Sequence, residues 1–171
     1  MKRWAIVWLV SIMAVGDFHG QIDEKIADRS AVFPVLEYYR LACLNPSSKT
    51  VVLEFDSMAV AFIAEYPESA LGLGMKSTAQ LMLAESMWNP MDKWTQFQTW
   101  KPQLEEAIVQ RPLDADLRFF RLSVQFSVPA LLEYNSDMDE DSDAVREALS
   151  DAFWAERPEY ESFVAAFLNQ L

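Results

Sequence analysis

Ala115-Asp116-Leu117-Arg118-Phe119-Phe120-Arg121-Leu122-Ser123-Val124-Gln125-Phe126-Ser127-Val128, residues 115–128, is apolar on most sides of a helix. Leu117, Phe120 and Val124 form one stripe, and Phe119, Leu122 and Phe126 form a second. Between them Arg118, Arg121 and Gln125 fall at i, i+3 and i+7, a single polar stripe. A helix of this kind is largely surrounded by other helices, so the segment predicts an all-α fold.

Two guanidinium groups in such a place need carboxylates or a water-filled groove. Glu105 and Glu106 on the preceding helix, and Glu85 before it, are the candidate partners. One reading is a set of interhelix ion pairs that fixes how two helices pack. The other is a concave groove whose Arg118–Arg121 fork, with Gln125, takes a carboxylate from a peptide terminus or an acidic side chain.

Outward from this segment the chain keeps helical periodicity, punctuated by proline. Strand signals reduce to Val51-Val52-Leu53, and the whole chain has four glycines. The expected helices are 22–31 and 35–44, separated by Pro34, then 49–65 after Asn45-Pro46-Ser47-Ser48. Next come 68–88, with Pro67 at its head, and 93–99 and 102–110, divided at Pro102. Asp114 caps 115–128, Pro129 begins a short turn, and an acidic loop over 135–141 precedes a helix at 142–156 capped by Ser142 or Asp143. A last helix occupies 158–170. This is one domain of eight or nine helices with short links, arranged as antiparallel pairs or an irregular bundle.

Composition narrows the function. The chain has 14 basic and 26 acidic residues in 171, a net charge of −12, which argues against gripping nucleic acid through phosphates or binding an anionic membrane by charge. At the N-terminus Lys2 and Arg3 precede Trp4–Val15 (WAIVWLVSIMAV), a twelve-residue apolar run of signal-peptide length and too short to span a bilayer. The expected signal peptide is 1–20 and the domain 21–171, with cleavage after Gly16 or Gly20. The mature protein is then periplasmic or extracellular, and touches a membrane only if the segment stays uncleaved. Cys43 is far from the apolar run and follows Arg40, against a lipid anchor.

Cleavage also removes His19, the only histidine, and with it the usual Ser-His-Asp and Cys-His systems, His-ligated metals and proton shuttles. The single cysteine, Cys43, reads as a buried thiol within Leu41-Ala42-Cys43-Leu44. Asp137, Asp139 and Asp141 mimic the start of an EF-hand loop, but Ser142 stands where glycine is required and Ala148 where the closing glutamate belongs. No metal or cofactor is expected.

Three segments share one pattern: Ala61-Phe62-Ile63-Ala64-Glu65-Tyr66-Pro67, Glu106-Ala107-Ile108-Val109-Gln110-Arg111-Pro112 and Ala152-Phe153-Trp154-Ala155-Glu156-Arg157-Pro158. Their prolines lie 45 and 46 residues apart, a period suited to stacked helix pairs. Ala84-x-x-Met87-Trp88, Leu104-x-x-Ala107, Pro112 and Leu113-Asp114-Ala115-Asp116-Leu117 resemble tetratricopeptide repeats over about residues 84–122. Trp88 and Trp100 replace that family's small residues, and the 34-residue period is missing. The stretch 112–134 also resembles exported bacterial all-helical proteins without assigned activity. These resemblances imply a helical interaction scaffold.

Trp88, Trp94, Phe97 and Trp100 crowd two successive helices, either as core or as the lining of a peptide groove. The sequence is therefore read as an exported, non-enzymatic interaction module. Its expected partner is another envelope protein or a peptide, bound through Trp88, Trp94, Trp100, Arg118, Arg121 and Gln125. A small hydrolase or lyase working with Asp and Glu alone, and a carrier of an apolar ligand, are the alternatives.

Overall fold

The computed structural model describes residues 16–171, with side chains from Ser30 onward. The apolar run Trp4–Val15, expected to be part of a signal peptide, lies outside the described residues. The fold is all-α: α1 is Gly16–Leu44, α2 Lys49–Glu65, α3 Ala70–Glu85, α4 Pro90–Gln110, α5 Ala115–Ser127, α6 Met138–Ser150 and α7 Pro158–Leu168. A single 3-10 turn, Ala130–Leu132, lies between α5 and α6. Residues 32–171 form one compact unit of packed helix pairs. Among the described residues no helix is long and apolar enough to cross a membrane.

Two proline-based divisions do not occur. α1 runs through Pro34 and α4 through Pro102. Each proline frees one carbonyl a turn earlier and strains the helix. Pro34, Pro102 and Gln98, whose carbonyl Pro102 releases, are all exposed, so water can meet the loss there. Buried residues on either side (Val32 and Leu36 around Pro34, Phe97 and Leu104 around Pro102) keep each helix seated. Tertiary burial outweighs local propensity.

Other boundaries follow the caps. α3 starts two residues later than expected because Ser69, not Pro67, provides its cap, accepting from Gly72 N at 3.1 Å. Asp114 caps α5 as predicted, accepting from Asp116 N and Leu117 N. Instead of a loop over 135–141, the N-cap of α6 is Asp137, and Asp139, Glu140 and Asp141 fill its first turn. Three carboxylates there suit the positive end of the helix dipole.

The backbone before the proline is alike in all three segments, with Arg157 at φ −139° and ψ 72°, but only the first two close a helix. Tyr66 (φ −124°, ψ 72°) and Arg111 (φ −135°, ψ 69°) end α2 and α4 with nearly the same backbone, each N–H returning to the carbonyl four residues earlier. The following proline forces both out of the helical region. Ser69 and Asp114 then cap the next helix, so α2–α3 and α4–α5 turn alike. Residues 152–156, expected to close a third helix, form turns instead: α6 has ended at Ser150, and Ala152 adopts φ 55°.

α3 is the middle layer, packed against α2, α4 and α5. At Gly74 an added Cβ would come within 2.2 Å of Leu117 Cδ2, so a glycine is what permits α5 to approach α3 this closely. Tyr39 of α1 anchors an aromatic core with Phe55, Phe119, Phe120, Tyr160 and Phe163, at centroid distances between 4.8 and 6.5 Å. Its hydroxyl donates to Ser123 Oγ at 2.6 Å.

Candidate functional site

The polar stripe of α5 meets the acidic face of α6. Arg121 donates from Nε to Asp141 Oδ2 at 2.7 Å, from Nη2 to Asp141 Oδ1 at 2.8 Å, and from Nη1 to Glu105 Oε2 at 2.9 Å. The fork around Asp141 is bidentate, the strongest arrangement this pair can adopt. Arg118 reaches the same carboxylate from Nη1 at 2.9 Å, pairs with Glu140 at 2.9 Å, and donates from Nε to the Pro112 carbonyl. Gln125 donates from Nε2 to Asp137 Oδ2 at 3.1 Å. Glu105 Oε1 in turn accepts from the Tyr134 hydroxyl.

The partners fall in an antiparallel register. Gln125 faces Asp137 and Arg121 faces Asp141, four residues apart on both helices. Asp141 is fully buried and Arg121 is 5% exposed, so each charge depends on its protein partners rather than on water. Burial lowers the Arg121 pKa, but the hydrogen bonds and charges of Asp141 and Glu105 outweigh it and hold the guanidinium more firmly protonated than usual. Burial likewise raises Asp137, and hydrogen bonds from Ser136 and Gln125 with the Arg121 and Arg118 charges bring it below the usual carboxylate range. Tyr134 is pushed upward by burial and by its bond to Glu105.

Of the acidic partners anticipated for the arginines, Glu105 takes part. Glu106 accepts from Gln110 at 3.0 Å, and Glu85 is exposed, its carbonyl taking the Lys93 ammonium. The missed partners are Asp137, Glu140 and Asp141, of which Asp137 and Asp141 face Gln125 and Arg121. The four-residue spacing of Asp137 and Asp141, equal to that of Arg121 and Gln125, was the available signal.

The aromatic group divides. Phe97 is buried, and Trp94 stacks on it at 6.3 Å with 28° between the rings. Lys101 Nζ sits 4.5 Å from the Tyr134 ring centre, and Tyr134 meets Phe97 edge-on. Trp100 is half-buried, with Lys76 Nζ 5.8 Å from its ring centre. Trp88 is 98% exposed, and Met91 and Trp94 are exposed beside it in sequence. Trp88 precedes the Asn89 cap of α4, which accepts from Met91 N, so the exposed indole stands where α4 begins.

Cys43 is half-buried, and burial pushes its thiol up to about 12, away from the reactive thiolate form. Asp137 and Asp141 face Arg121 from a helix rather than lining a cation loop, and among the described residues no acidic or sulfur group is arranged to hold a metal. No protein-family model, curated protein or solved structure matches the chain. The likeness of residues 84–122 to tetratricopeptide repeats therefore rests on the sequence alone.

Proposed function

We propose that the chain is an exported helical interaction module that captures another envelope protein or a peptide on the aromatic surface at the head of α4. The observation that carries this reading is the exposure of Trp88, 98% of its surface, beside exposed Met91 and Trp94. Tryptophan is ordinarily well buried, and large rigid indoles dominate the energetics of protein interfaces. Trp94 rests on buried Phe97, which limits the entropy lost when a partner binds. Lys2, Arg3 and the apolar run Trp4–Val15 support export.

Arg118 and Arg121 enter the reading differently. Their guanidinium groups are engaged by Glu105, Glu140 and Asp141, so in this arrangement they join α5 to α6 and leave docking to the tryptophans. The Glu37 carboxyl, through its bonds to Arg40, and that of Asp137 are displaced downward, opposite to what a carboxyl general acid requires, so neither of these two suits that role.

The test is capture from envelope extract by the tagged mature chain and by W88A/W94A. Trp88 is 98% exposed and should cost little, while Trp94 is 46% exposed and stacked on Phe97, so the pair should lose about 1–3 kcal/mol and stay folded. A protein retained by the parent and lost by the variant is the expected result. The same proteins retained by both would overturn the reading.

A further inference from the structure

α6 is held beyond its two ends by buried aromatic residues and along its length by an ion-pair contact. Before it, Tyr134 is 4% exposed, packed on Phe97 and bonded to Glu105. After it, Trp154 is 1% exposed and donates from Nε1 to Asp116 Oδ1 at 2.8 Å. Between these anchors, only Asp141 and Val145 of the helix are buried. Its C-terminal link passes through Ala152 at φ 55°, a conformation a non-glycine residue holds only under strain. The contact with α5 is made chiefly of charge: Arg118 and Arg121 against Asp137, Glu140 and Asp141.

The covered face is incompletely matched. Gln125 is 3% exposed, and its Oε1 finds no donor among the described residues while its Nε2 is bound to Asp137. α6 thus supplies carboxylates for both arginines and nothing for the acceptor beside them, although a buried acceptor left unpaired is costly.

The geometry points to α6 as an internal occupant of a carboxylate-binding face, holding the place of an acidic helix from another chain. When α6 swings out between the Tyr134 and Trp154 anchors, Arg118, Arg121 and Gln125 form a fork-and-amide stripe. That stripe fits a helix with carboxylates four residues apart, as Asp137 and Asp141 are, and a hydrogen-bond donor beside the first. Competition by α6 lowers the apparent affinity for such a helix by the fraction of time the face is open. Trp88, 98% exposed, stands apart from this face, so W88A alone tests the first proposal without touching the second, and the two fail independently.

The probe is a fluorescein-labelled peptide of residues 135–150 of this chain, titrated against the full chain and against full-chain D137N/D141N. The expected result is binding to the variant at least about tenfold tighter than to the parent, lost when the peptide itself carries Asn at both positions. A folded variant that binds no tighter than the parent overturns the inference. Where the variant does not fold, hydrogen exchange of the parent chain decides. Amides of α6 should then open at least about a hundredfold more readily than those of α5, by a margin that widens in about 1 M NaCl. Exchange of α5 and α6 at one common rate in both salts overturns it.

Discussion

α5 and α6 are both thirteen residues long and lie against each other, yet ten residues of α5 are buried and two of α6. α5 is enclosed by α3, α4 and α6, and its Phe119 and Phe120 pack on Tyr39 of α1. Its position follows from apolar burial, which is strong but without direction. α6 brings little apolar surface, and its position follows from a bidentate ion pair and its neighbours, which fix register closely. One helix is therefore placed by the core, and the other is placed on the core by charge.

The largest expected effect comes from breaking the charge contact. Asp141→Ala leaves Arg121 buried with Glu105 and a distant Asp137 as its remaining partners, and should cost about 3–5 kcal/mol in urea denaturation. A loss below about 1 kcal/mol would mean that α6 is held by something other than this pair. Next comes the apolar side of the comparison. Gly74→Ala pushes a methyl group against fully buried Leu117 and should cost about 1–3 kcal/mol, read in the same way. Smallest is Ala152→Gly. α6 ends with Phe153 N bonded to Ala148 O at 3.0 Å around a left-handed Ala152, a closure in which glycine is the usual residue. Relief of that strain should stabilise the chain by about 0.5–1 kcal/mol, seen as a raised thermal midpoint.

The same contrast explains what the sequence made legible. α5 was readable because its apolar residues repeat with helical period and Asp114 announces its start. α2 was readable to the residue because prolines and serines flank an uninterrupted pattern. Pro34 and Pro102 misled because a proline on a solvent-facing side costs a helix less than the packing around it returns. The start of α6 was hidden for a different reason: Asp137, Asp139, Glu140 and Asp141 have the composition of a loop, and the helix dipole together with Arg118 and Arg121 opposite makes them a helix turn. The arginine stripe was visible as a site needing carboxylates, while Asp141, a fully buried aspartate in an acidic run, had no apolar context to mark it. Of the aromatic cluster, Phe97 went inward and Trp88 outward, a division that depends on where Asn89 caps α4.

Arg121 and Asp141 act as one unit joining α6 to the core. A double-mutant cycle with R121M, D141L and the pair together tests this most directly. In the double variant Glu105 keeps Tyr134 and Arg118 keeps Glu140, so no charge is stranded. Each single substitution should lose about 3–5 kcal/mol and the double less than about 1.5 kcal/mol, a large favourable coupling. Losses that simply add would contradict the account.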